Sequence, residues 1–218
     1  MYIWSTIQLD IPPDIENIAS QAGNTVFDSG IYQTRSPDFW QNQVPEYTQR
    51  TGIQLARYVR HQLPDCHKSW ILQHVPELQH IEADWGYQII DNDQQHNHGV
   101  IMTPHTDGDA RGNHVLQYII DSGGSQVKTS WWQEDHKPLV REKIISLNDD
   151  KTLVAETEFV AGSWSIFRTD ILHGVGIIAT ARRAITVGFN NERLFYQIIR
   201  RLGINSFSLK NYDLVING

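Results

Sequence analysis

Helices packed on an antiparallel β core are the fold class this sequence predicts, and three observations carry it. Beyond residue 80 the chain breaks into eight short strand-like runs divided by Gly, Asp and Asn. Before residue 80, apolar residues recur at helical spacing. The length of 218 residues, 40% hydrophobic and 20% charged, suits one domain with a full core and would cramp two. The expected organisation is a single domain over 1–218. Residues 1–80 form helical support, 81–190 the β core, and 191–218 a C-terminal helix and tail.

Taken in order, "SPDFW" offers Ser36 as N-cap with Pro37 at the first helical position. From Pro45 to about Leu63, Ile53, Ala56, Val59 and Leu63 share one helical face, and Pro64 ends the pattern. The strand runs are "HIEADWGYQII", "NHVLQYIID", "VKTSWWQ", "REKIISLN", "TLVAETEFV", "SWSIFR", "LHGVGII" and "AITVGFN". Their close spacing argues for a sandwich or barrel. "DSGGS" reads as a tight turn, and "NDDK" closes a hairpin. "ERLFYQIIRRLG" reads as a last helix capped by Gly203.

Charge and cysteine usage narrow the function classes. The net charge is -7 and no basic run occurs. Arg182-Arg183 and Arg200-Arg201 are too short for a phosphate-backbone stripe, so nucleic acid is not an electrostatically favoured partner. The single cysteine, Cys66, cannot form an intrachain disulfide, which fits a reducing compartment. "MYIWSTIQLDIPPD" lacks the features of a signal peptide, and no apolar stretch approaches the roughly 18 residues of a membrane span. A soluble, cytoplasmic chain with no membrane partner is expected.

The chemistry concentrates in "TPHTDGDARGNH". Residues i and i+2 of an extended segment share a face, so His105 and Asp107 point together. An imidazole nitrogen and a carboxylate oxygen aimed at one point make two thirds of a metal site. Two histidines and one carboxylate with open positions suit non-heme Fe(II). The third ligand is His173, late in the core in "TDILHGVGI". His96, His98 and His136 sit in polar loops, and His114, opening a strand, is a weaker rival. Arg183, with Arg182 beside it, enters an apolar strand ten residues after His173, where a guanidinium is costly to bury without an anion. An oxygen-activating Fe(II) centre needs two extra electrons. A 2-oxo acid supplies them while chelating the metal, and its distal carboxylate needs a fixed cation.

His105-Thr106-Asp107, then His173, then Arg183 resembles the pattern of the Fe(II)- and 2-oxoglutarate-dependent dioxygenases. "FVAGSWSIFRTDILHGV" is similar to that family's approach to its distal histidine, and "LQYIIDSGGSQVKTSWW" to the middle of the prolyl-hydroxylase-like branch. The resemblance covers about residues 81 to 190. It implies a double-stranded β-helix (jelly-roll) core, with His105, Asp107 and His173 as iron ligands and Arg183 on 2-oxoglutarate. It further implies O2 as oxidant. Asp107 favours hydroxylation, since resembling halogenases carry a small residue there.

The branch often pairs its arginine with a Ser or Thr two residues on, whereas here Thr186 stands three after Arg183 and four after Arg182. Spacing from His173 favours Arg183, and strand parity with Thr186 favours Arg182. Arg183 is the expectation and Arg182 its alternative. Only one of Gln117 and Tyr118 can face the interior. Tyr118 is the choice, because a buried phenol needs a hydrogen bond that the distal carboxylate could supply. Asn113 and Arg111 lie near enough to contribute, and Trp85, Tyr87, Trp131 and Trp132 could line a pocket. The expected substrate is a small molecule, an amino acid or a peptidyl side chain. Two other readings compete: a zinc-dependent hydrolase on the same three ligands, and a non-catalytic jelly-roll binding module.

Overall fold

The computed structural model describes residues 1–21, 26–28, 45–46, 49, 54–55, 57–91, 100–107, 112–134 and 151–208. Its strands are β1 (Tyr2–Ile7), β2 (Val26–Asp28), β3 (Gln54–Leu55), β4 (Arg57–Gln62), β5 (Ala83–Asp91), β6 (Val100–His105) and β7 (His114–Ser122). They continue as β8 (Lys128–Glu134), β9 (Lys151–Glu158), β10 (Ser163–Arg168), β11 (His173–Ile178), β12 (Arg182–Phe189) and β13 (Gly203–Ser208). Helix α1 is Asp65–His74 and α2 is Glu192–Leu202, with shorter helical turns at Ile15–Asn17, Ile18–Gln21 and Pro76–His80.

Two sheets form. One runs β13-β1-β10-β7-β12-β5-β4-β2, and the other β3-β6-β11-β8-β9. Neighbours are antiparallel except β3 and β6, which pair parallel. The period of two assigns each side chain of the larger sheet to one of two layers. On β12, Ile185, Val187 and Phe189 join Leu116, Tyr118, Trp164 and the α2 residues Leu194, Phe195 and Ile198 in a core under the helices. The alternate residue Ala184 packs with Ile119, Phe167 and Trp131 between the sheets.

Helix α2 repeats its apolar residues on one face, and the Asn191 side chain caps it by accepting the Leu194 N–H at 2.9 Å. Glu192 in its first turn and Arg200 and Arg201 in its last suit the helix dipole. Gly203 does stop α2, with an ordinary φ of -66° and not the left-handed cap expected. Its lack of a side chain answers crowding: a Cβ there would meet the Ile199 carbonyl oxygen at 2.5 Å. "DSGGS" is a turn with Gly123 and Gly124 at φ 83° and 133°.

Seven of the eight strand runs contain strands, and "REKIISLN" lies outside the described residues. Ser36, Pro37 and most of "NDDK" lie outside them too. The helix expected over 45–63 is corrected beyond residue 49, since the described residues 45, 46 and 49 are helical. Its described part from residue 54 onward is β3 and β4, because β4 finds a partner in β5 over six residue pairs. Ladder pairing outweighs a weak 3.6-residue pattern. The amino terminus, taken as helical support, supplies β1, which pairs with β10.

His114 is 2% exposed and lies among aromatic rings, 5.6 Å from Phe189 and 4.6 Å from Phe195 between centroids. Burial, and secondarily the Arg168 charge, pull its pKa from 6.5 to about 4. The native ring therefore stays neutral while the unfolded one protonates. Stability from this site is complete above pH 6.5 and is lost as pH falls from there towards 4. Thermal melts across pH 7.5 to 4 should show His114→Phe losing less stability than the wild type, by up to about 3 kcal/mol at the acid end. Parallel curves for the two proteins would refute a neutral buried imidazole.

Candidate functional site

β6 ends at His105 and β11 begins at His173, and the two residues face each other in the antiparallel register. Their ring centroids are 4.5 Å apart. Asp107 follows just beyond β6, with its backbone N–H donating to the Thr169 carbonyl at 3.1 Å. This tie brings its Oδ1 to 3.4 Å from His105 Nε2. One ligand atom from each of His105, Asp107 and His173 lies within 4.8 Å of the others. A cation bonded at roughly 2.1 Å to each would draw them together.

The protonation states suit a cation. His173 Nδ1 lies 3.0 Å from the Ile171 carbonyl oxygen, which can only accept. Nδ1 therefore carries the proton and Nε2 keeps its lone pair. Desolvation, with the nearby His105 as a lesser cause, lowers the His173 pKa to about 4, so the ring is neutral at pH 7.

A cavity opens beside this cluster, and its lining includes His105, Asp107, His173, Arg60, Asp84, Gln117, Thr129, Arg182 and Thr186. Arg182 is 2% exposed, and no described residue accepts a hydrogen bond from its Nε or Nη1. Burial lowers its pKa to about 10, which leaves it protonated at neutral pH. Gln117 Oε1 and Thr129 Oγ1 are likewise buried without a partner among the described residues. A buried guanidinium, a carboxamide and a hydroxyl with unused hydrogen-bonding capacity are what a polar, anionic ligand would satisfy.

The expectation that Arg183 faces the cavity is corrected. Arg182 and Thr186 line it together, whereas Arg183 falls on the other face of β12 and is exposed. The period of two decides this, as parity with Thr186 indicated. Tyr118 is corrected for the same reason. It packs under the helices against Trp164, 5.1 Å between centroids, and its neighbour Gln117 faces the cavity.

Trp85 and Tyr87 also belong to the helix-side core. Trp131 is fully buried between the sheets, with its indole N–H donating to the Arg168 carbonyl at 3.0 Å. Trp132 is half-buried. His114 turns away from the cavity to pack against Phe189 and Phe195 on the helix side, while Arg111, His96, His98 and His136 lie outside the described residues. Arg60, Asp84 and Thr129 were not foreseen. Arg60 stood in a segment read as helical, where no alternation marked its inward face.

No protein-family model and no curated protein matches this chain. Solved structures do. A prolyl-4-hydroxylase from Pseudomonas putida aligns over 88% of this chain and 94% of its own, at 14% identity and a TM-score of 0.45. An oxidoreductase of the 2OG-Fe(II) oxygenase family from Burkholderia pseudomallei aligns over 61% and 68%, at 11% identity and a TM-score of 0.35. AviO1 from Streptomyces viridochromogenes is similar over 59% of this chain and only 60% of its own length, at 14% identity and a TM-score of 0.39. Among the described residues, no helix is long and apolar enough to cross a membrane.

The cluster makes a direct prediction for metal binding. Mn(II), a redox-stable stand-in for Fe(II), should bind one ion per chain by calorimetry. Asp107→Ala and His173→Ala should each weaken it at least roughly 100-fold, beyond the loss expected for an outer-shell partner. Unchanged affinity in both variants would remove the cluster as the metal site.

Proposed function

We propose that this chain is an Fe(II)- and 2-oxoglutarate-dependent oxygenase that hydroxylates a C–H bond of a small-molecule or peptidyl substrate. The observation that carries the reading is Arg182. Its cation is buried in the same cavity as the His105–Asp107–His173 cluster, with two N–H-bearing nitrogens unpartnered among the described residues. A zinc hydrolase on the same ligands has no use for that charge, and neither does a binding module with a vestigial site. A dianionic 2-oxo acid spanning metal and arginine uses both.

In this reading His105, Asp107 and His173 hold Fe(II), and Arg182 holds the distal carboxylate of 2-oxoglutarate. When bound, iron and 2-oxoglutarate with O2 supply the oxidation of the C–H bond. The chain's residues do the rest. The Ile171 carbonyl fixes the His173 tautomer, the Thr169 carbonyl fixes the Asp107 backbone, and Gln117 and Thr129 offer hydrogen bonds to the co-substrate. Phe167, Val115, Met102 and Val175 give the cavity apolar wall that limits water near the cluster. The two sheets are proposed as the walls of a double-stranded β-helix, with the chain as one domain.

The test is anaerobic titration of the Fe(II)-loaded protein with 2-oxoglutarate, followed by the weak visible band of the metal chelate. The wild type and Arg183→Ala should develop the band at similar concentrations. Arg182→Ala should need roughly 30-fold more co-substrate or worse, the cost of losing one partner of a buried ion pair. No band in any of the three would end the proposal. A band equally easy in Arg182→Ala would displace the co-substrate from this arginine.

A further inference from the structure

The cavity carries a second guanidinium that the oxygenase reading does not use. Arg60 projects from β4 and is 9% exposed. It fills the space that a side chain at position 86 would take: a Cβ on Gly86 would stand 2.3 Å from its Cζ. Nη1 donates to Thr186 Oγ1 at 3.0 Å, and Nη2 to the Asp84 carbonyl oxygen at 3.2 Å. Nη2 also pairs with Asp84 Oδ2 at 2.9 Å. The pair is lopsided, since the Asp84 side chain is 35% exposed against 11% for Arg60. Arg60, Asp84 and Thr186 line the same cavity as the three candidate metal ligands.

We propose that Arg60 anchors a carboxylate on the substrate, and that Asp84 is its exchangeable counter-ion while the site waits. A planar guanidinium fork matches a carboxylate, and Asp84 already shows that a carboxylate fits against this edge of it. Asp84 holds the solvent side of the pair, so it swings into water at small cost when another carboxylate takes its place. The Thr186 hydroxyl and the Asp84 backbone carbonyl continue to grip Arg60 during the exchange. Arg182 projects from β12 of the same sheet, so a substrate held on Arg60 lies in the cavity beside the co-substrate. The substrate class is therefore a molecule with a free carboxylate group. The proposal rests on the oxygenase reading.

The experiment loads the protein anaerobically with Fe(II) and 2-oxoglutarate, so that Arg182 is engaged and the chelate band reports on the first reading. The loaded protein is then titrated with butanoate, N-acetylglycine and 3-phenylpropanoate, each beside its primary amide, by calorimetry and by perturbation of the band. At least one acid should bind roughly 30-fold tighter than its amide, and Arg60→Gln should abolish the difference. Asp84→Asn removes the internal competitor while keeping an acceptor for Arg60, so it should tighten acid binding several-fold. With the band intact, three results overturn the proposal: acids and amides binding alike, no acid binding at all, or weaker acid binding in Asp84→Asn. Absence of the band would overturn the oxygenase reading and this proposal with it.

Discussion

A buried cation with no ion pair among the described residues is the constraint on which the rest of this structure turns. Arg182 sits on a central strand, 2% exposed, with Ile178 and Ile90 close by in the inter-sheet layer. Such burial is tolerated only where an anion arrives from outside or the surroundings stay wet. Space for its stem is made by the turn joining β7 to β8. A Cβ at Gly123 would come within 2.7 Å of Ile178 and 3.0 Å of the Arg182 Cβ. Gly123 of "DSGGS" thus serves the cation as much as the turn.

Each sheet supplies a different half of the site. The five-stranded sheet presents the metal-type ligands at the facing ends of β6 and β11, and the eight-stranded sheet presents Arg60, Asp84, Gln117, Arg182 and Thr186. The ligand end is stiffened through the segment leading into β11. The buried Thr169 donates its hydroxyl to the Gly112 carbonyl at 2.8 Å and its N–H to the Asn113 carbonyl at 2.9 Å. Next to it, Arg168 bridges Asp170 at 2.5 Å and Glu192 of α2 at 3.0 Å. Loop residues that must hold two partners in fixed geometry are tied down where their backbone groups would otherwise fray.

The part of the fold beyond residue 80 was legible because strands buried on both faces still end in Gly, Asp and Asn. The three residues of the cluster were legible because His and Asp at a spacing of two are chemically conspicuous. The cation was harder. Counting ten residues from His173 pointed to Arg183, while the period of two pointed to Arg182, and the ladder obeys the period. Tyr118 failed on the same ground, since hydrogen-bonding appetite does not choose a face. Within the first 80 residues, β1 and β4 were missed because they owe their strand form to partners more than 20 residues away, β10 and β5. No local pattern announces such a partner.

On the proposed reading the two cavity arginines take different ligands, and their surroundings differ to match. Arg60 comes with a carboxylate of its own, held on the solvent side and therefore removable. Arg182 has no ion pair among the described residues, and burial alone shifts its ionisation. A ligand meeting Arg182 would gain a buried pairing with no described ion pair to displace, which would suit the proposed co-substrate. A ligand meeting Arg60 must first compete with Asp84, which makes binding weaker and more selective. That asymmetry would suit the molecule that has to be chosen, and it follows from the carboxylate that Arg60 holds and that Arg182 lacks among the described residues.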